Sequence, residues 1–190
     1  MVRFCSFSSV SFSVAVLLLT VASASMRVHE KTSESDIKAI CESTIIPAYC
    51  FKLFNSDPRL VSIDLPSVAT ILIVKGQDKL SRTEKLIKTL IKKASPKPPP
   101  GGGPSLKERY LSCSENYDDA LADILEAKQF IISHDYFGAQ IHASAVLDDI
   151  VTCDDDLTDP TPDPSPLARH NMDASRLSRV ILAVINHLHG

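Results

Sequence analysis

The sequence predicts an all-α fold, an up-and-down four-helix bundle preceded by a helical hairpin. Four long segments place apolar residues at alternating spacings of three and four, the mark of one helix face. No stretch shows the period-two alternation of a half-buried strand, and two breaks rich in proline, at 95–105 and 154–166, interrupt the periodic segments. Of the 190 residues, 44% are hydrophobic and 23% charged, a composition that packs a core rather than staying disordered. That length suits one domain. The net charge of −3 lacks the basic balance of a nucleic-acid binder, so no nucleic-acid partner is expected. No apolar run reaches the roughly 20 residues of a membrane span, so no membrane partner is expected either.

Residues 1–24 read as a secretory signal peptide: Arg3, then the apolar core Val14 to Leu19, then Ala22-Ser23-Ala24 with small residues at the cleavage positions. The mature domain is then residues 25–190, secreted to the extracellular space. Cys5 leaves with the signal, and Cys41, Cys50, Cys113 and Cys153 remain. An even count in an oxidising compartment indicates two disulfides. The spacings lack the close pairs of a structural zinc site, and no Asn-x-Ser/Thr sequon occurs.

Ser33 to Asn55 gives two short helices, the first capped by Ser33 or Ser35 and the second begun by Pro47, where proline is best tolerated. Pro66 to about Ala94 is the first bundle helix, with Ile73, Gly76, Leu80, Thr83, Ile87 and Leu90 on one face. Ser95 to Ser105 holds five prolines and three glycines and is a solvated linker; without Gly-Lys-Ser/Thr it is no phosphate loop. Leu106 to Ser133 is the second helix, through Tyr110, Cys113, Tyr117, Ala120, Ile124, Ala127 and Ile131. His134 or Gly138 ends that pattern. Asp135 or Ser133 caps the third helix, which carries Ala139, Ala143, Val146 and Ile150 inward. Asp154 to Pro166 reads as a break, and the last helix runs from about Asn171 to Leu188 with Leu177, Ile181, Val184 and Leu188 inward.

Antiparallel packing selects the disulfide pairing. The chain climbs roughly 30 Å from Cys113 to the turn and descends roughly 26 Å to Cys153, so the two meet. Cys41 and Cys50 flank the turn of the small hairpin. The pairing Cys41–Cys50 with Cys113–Cys153 is the one that needs no distortion.

No catalytic arrangement emerges. There is no Gly-x-Ser-x-Gly elbow, and the six histidines are scattered. His187 and His189 form at most a weak metal pair, and Asp154 to Asp159 lacks the glycine and glutamate of a calcium loop, so neither metal nor cofactor is expected. The charge layout is more telling. From Glu108 to Asp163 there are 14 acids against Arg109 and Lys128, whereas the first bundle helix carries seven bases against Asp78 and Glu84. Glu108, Glu115, Asp119 and Glu126 fall within about 40° of one another on the second bundle helix, away from its apolar seam.

The block Cys113-Ser-Glu-Asn-Tyr-Asp-Asp-Ala120 resembles the plant invertase/pectin methylesterase inhibitor family. So do Ala127-Lys-Gln-Phe130, Asp135-Tyr136, Val151-Thr-Cys-Asp-Asp155 and the cysteine spacing. The resemblance runs from Ile40 to Leu188 and is nearest the pectin methylesterase inhibitor branch. It implies a secreted, non-catalytic apoplastic protein, monomeric when free. Such a protein blocks the pectin cleft of pectin methylesterase in a reversible one-to-one complex. It places the partner-binding positions on Glu115, Asp119, Thr152 and Asp155, with a further acidic position of the pattern replaced by Ala122. Invertase inhibitors carry Pro-Lys-Phe early in the third bundle helix; here Asp135-Tyr136-Phe137 stands there, which weakens the invertase alternative. The Pro/Gly linker also looks longer than is usual in the family. Another alternative is a non-inhibitory cell-wall module that binds pectin through the basic helix.

Overall fold

The computed structural model describes residues 31–158 and 162–190. The predicted signal peptide lies outside the described residues. Two short helices, α1 (Glu34–Glu42) and α2 (Pro47–Ser56), are followed by a 3-10 turn (Pro58–Val61). Four long helices follow, α3 (Leu65–Lys93), α4 (Leu106–Ile132), α5 (Tyr136–Thr158) and α6 (Leu167–His189). The packed neighbours are α3 with α4, α4 with α5, α5 with α6, and α6 with α3. That closes a four-membered ring in which α3 stands diagonally across from α5. The hairpin rests on α6, where His187 Nε2 meets Asp36 Oδ1 at 3.3 Å.

Local chemistry sets the helix ends. Ser33 and Asp36 form a capping box on α1, and Ser105 and Glu108 form one on α4. Asp64 caps α3 by accepting from the Ser67 amide at 2.8 Å. α4 ends in a Schellman turn: the Asp135 amide donates to the Phe130 carbonyl at 2.9 Å and the His134 amide to that of Ile131 at 3.1 Å. His134 takes the left-handed position of that turn with φ 59°, where glycine is usual. Asp135 Oδ1 then accepts from the Gly138 amide at 2.9 Å and opens α5.

Two boundaries differ from the sequence reading. α5 does not stop before Asp154 but continues to Thr158, because Leu157 extends the apolar face by one more turn and is buried. α6 begins at Leu167 rather than near Asn171, since Leu167 is also buried and its amide donates to Ser165 Oγ at 3.1 Å. Acidic and proline-rich composition masked both apolar anchors.

Nearly every residue assigned inward is buried, including Tyr110, Tyr117, Ile124, Ile131, Val146 and Ile181. Leu90 and Leu188 are only partly buried, at the edges of the same core. Both disulfides pair as predicted, with Cα separations of 5.3 Å for Cys41–Cys50 and 4.6 Å for Cys113–Cys153. A buried polar network then ties three helices. Tyr117 Oη donates to Asn171 Oδ1 at 2.8 Å, and Asn171 Nδ2 donates to the Ile150 carbonyl at 3.0 Å and to Asp154 Oδ1 at 3.1 Å. Satisfied buried groups of this kind each contribute about 1 kcal/mol net, and deletion of one partner costs more. The same apolar environment pushes the Tyr117 phenol well above its ordinary range.

Candidate functional site

The Cys113–Cys153 bond fixes the register of α4 against α5. With Cys113 level with Cys153, antiparallel packing brings Glu115 level with about Val151 and Asp119 with about Leu147. On α4 the side chains facing the core are Tyr110, Cys113, Tyr117, Ala120 and Ile124, so Glu115 and Asp119, about half a turn away, point outward and are exposed. On α5 the core side chains are Val146, Ile150, Cys153 and Leu157, and Thr152 and Asp155 are exposed on the opposite side. The four predicted site residues therefore share one outward face beside the disulfide, spread over two packed helices. Thr152 Oγ1 donates to the Asp148 carbonyl at 2.9 Å, which orients its hydroxyl along α5.

That face is more acidic than the sequence reading proposed. Asp148 is exposed one turn from Thr152, and the same angular argument applied to α5 finds it. Asp149 sits half-buried between the helices. Desolvation, and then the charges of Asp123, Asp119 and Asp148, push its carboxyl up to about 6. Its Oδ2 is buried without a hydrogen-bond partner. Asp123, next to the Ala122 gap, does not fill that gap: it turns into the seam and meets His142 Nδ1 at 2.6 Å. The His142 ring stacks on Phe130 with centroids 5.3 Å apart. Gly138 lets α5 approach this stack, since a Cβ there would lie 2.6 Å from the Phe130 ring.

Among the described residues, Glu115, Asp119, Asp148 and Asp155 make no ion pair. Asp118, on the flank of α4 that faces α3, lies 3.8 Å from Lys88 Nζ. The outward acids are thus uncompensated while the inward-flank acid is neighboured by a cation. The disulfide beneath the face fastens α4 to α5.

Elsewhere, Tyr136 opens α5 with its hydroxyl 3.0 Å from His134 Nδ1, and Phe137 is exposed against the His189 ring, centroids 5.6 Å apart. His187 and His189 therefore engage different partners. Among the described residues no cluster of three or more His, Cys, Asp or Glu side chains is arranged to hold a metal, and no helix is long and apolar enough to cross a membrane.

Residues 35–184 match the family described as plant invertase/pectin methylesterase inhibitor. The chain is 34% identical over 187 residues to a pectinesterase inhibitor of Actinidia deliciosa, covering 98% of this chain and 97% of that one. It is 30% identical to pectinesterase inhibitor 2 of Arabidopsis thaliana over 152 residues, 80% of this chain and 83% of the relative. A crystal structure of a mutant form of a pectin methylesterase inhibitor from Arabidopsis superposes with a TM-score of 0.68 at 26% identity, over 80% of this chain and 95% of the other. With its bundle of four long helices, its N-terminal pair of short helices and its two disulfides, this chain belongs to the plant invertase/pectin methylesterase inhibitor family, a family of inhibitors and not of enzymes.

Proposed function

We propose that the protein is a secreted inhibitor of pectin methylesterase that acts by covering the enzyme's pectin-binding cleft with the acidic face of α4 and α5. The observation that carries this reading is the uncompensated outward set Glu115, Asp119, Asp148 and Asp155, held beside the Cys113–Cys153 bond. Exposed like charges with no internal partner raise the potential of the face and steer a complementary surface toward it. They contribute association rate and specificity more than raw affinity. The reading includes cleavage after Ala24 and function in the apoplast, a compartment in which disulfides persist.

The reaction being blocked needs no chemistry from this chain. Occupying the cleft excludes the polymer, and the complex dissociates without a covalent step. Thr152 adds a hydroxyl at the rim, while Asp123 in the seam is engaged across the helices with His142 rather than meeting the enzyme directly. At the start of α5, Tyr136 and Phe137 supply no cation, so a glycosidase cleft that selects a lysine is poorly matched. The test is titration of a pectin methylesterase and of an acid invertase, separately, with purified residues 25–190. Inhibition of the esterase that saturates at one-to-one, with little effect on invertase, supports the reading. Inhibition of invertase alone overturns it.

A further inference from the structure

We infer that the C-terminal half of α3 is a second binding surface, for the carboxylate-bearing polyuronate that a pectin methylesterase leaves behind. The inference rests on the esterase reading for the identity of the polymer. From Ser81 to Lys93 the helix carries Arg82, Lys85, Lys88, Lys92 and Lys93 against one acid, Glu84. The core side of this segment is Thr83 and Ile87, both buried, and the five cations project from the remaining, exposed arc. They cover about 16 Å of helix length.

Local pairing does not consume this charge. Arg82 reaches Asp78 at 2.7 Å, and Lys88 pairs with Glu84 and approaches Asp118 at 3.8 Å. Lys85, Lys92 and Lys93 have no ion-pair partner among the described residues. Lys92 and Lys93 favourably meet the negative end of the helix dipole, but that interaction leaves their ammonium groups facing solvent. Lys97, exposed in the proline-rich linker, adds a cation beyond the helix end. A band of point charges along the exposed arc of one helix fits a linear polyanion, whose repeating carboxylates can engage several ammonium groups at once. A methyl-esterified polymer offers no such charge.

Placement in the ring makes the two surfaces compatible. α3 lies diagonally across from α5, and where it packs on α4 it meets the Asp118 flank rather than the outward side that carries Glu115 and Asp119. An inhibitor held on the polymer by α3 keeps its acidic face free for the esterase. Retention then rises where esters have already been removed, so the inhibitor is concentrated at the enzyme's product.

The test uses the mature chain alone, with no esterase present, on immobilised polygalacturonate and on the fully methyl-esterified polymer. Retention on polygalacturonate at low salt, release as salt rises, and no retention on the ester are expected. The triple variant Lys85→Gln, Lys92→Gln, Lys93→Gln should bind roughly a hundredfold more weakly, taking about fivefold per lysine at an anionic surface. Its melting temperature and its inhibition of the esterase should be unchanged. No retention of the wild-type chain, equal retention on both polymers, or undiminished binding by the triple variant overturns the inference. Because the polymer assay contains no enzyme, such a failure leaves the inhibitor reading standing.

Discussion

On the α4–α5 side of the bundle, Cys113 is bonded to Cys153, and Glu115, Asp119, Asp148 and Asp155 have no cation within ion-pair distance among the described residues. On the α3–α6 side no disulfide joins the helices, and Lys75, Arg82 and Lys88 each hold a nearby acid. Gly76 of α3 packs closely, since a Cβ there would lie 2.8 Å from Ile124 Cδ1 of α4 and 2.9 Å from Ile181 Cδ1 of α6. The acidic half therefore tolerates its self-repulsion because a covalent bond and the Tyr117–Asn171 network hold it. The basic half relies on fit and on partial local pairing, which leaves Lys85, Lys92 and Lys93 without an ion-pair partner among the described residues. Charge left unpaired beside the disulfide is charge held in a fixed place for a partner.

The largest effect follows from opening the staple. Cys113→Ser with Cys153→Ser removes a link spanning 40 residues and should cost roughly 4 kcal/mol, lowering the melting temperature by about 10 °C. Cys41→Ser with Cys50→Ser opens a separation of 9 and should cost roughly 2.5 kcal/mol. Thermal melts of the two double variants give the order directly. A larger loss from the hairpin pair would contradict the assignment of the staple to the acidic half.

Gly76 probes the other half. Gly76→Val forces branched bulk between Ile124 and Ile181 and should cost about 1–3 kcal/mol in urea unfolding. Gly76→Ala should be near neutral, because about 1 kcal/mol of helix propensity offsets the movement of two flexible side-chain ends.

A smaller effect distinguishes the halves by pH. The Asp149 carboxyl is raised to about 6 from a usual value of 3.8. Between those values the folded chain binds the proton more tightly than the unfolded one, so stability rises as pH falls from 7 toward 5. Asp57 has the opposite sign: hydrogen bonds from Arg59 and Lys75 hold it below the carboxylate range, so its contribution is present at neutral pH and lost in strong acid. Stability should therefore peak on the acid side of neutrality. Asp149→Asn should remove the gain between pH 7 and 5 while leaving the loss in strong acid. Urea midpoints across pH check both arms.

Periodicity made the bundle legible, and chain length between Cys113 and Cys153 made the pairing legible, because helix geometry is nearly invariant. The ends of α5 and α6 were not legible, since Leu157 and Leu167 are single apolar residues inside acidic and proline-rich surroundings and only tertiary burial reveals them. Likewise Glu115 and Asp119 stand out on one helix by angle alone, whereas the relation of Asp149 to Asp123, and of Asp123 to His142, exists only after α4 and α5 pack. Asn171 reads as a helix start in sequence and proves to be the buried centre of a network.

The acidic face is tested most directly by reversing its charge. In Glu115→Lys with Asp119→Lys, both side chains are exposed and unpaired, so the melting temperature should change by no more than about 1–2 °C. Titrated against a pectin methylesterase beside the wild-type chain, the double variant should inhibit at least roughly tenfold more weakly, because a complementary contact becomes a repulsive one. Inhibition equal to wild type, in a variant that melts like wild type, would contradict the account and place the interface elsewhere on the bundle.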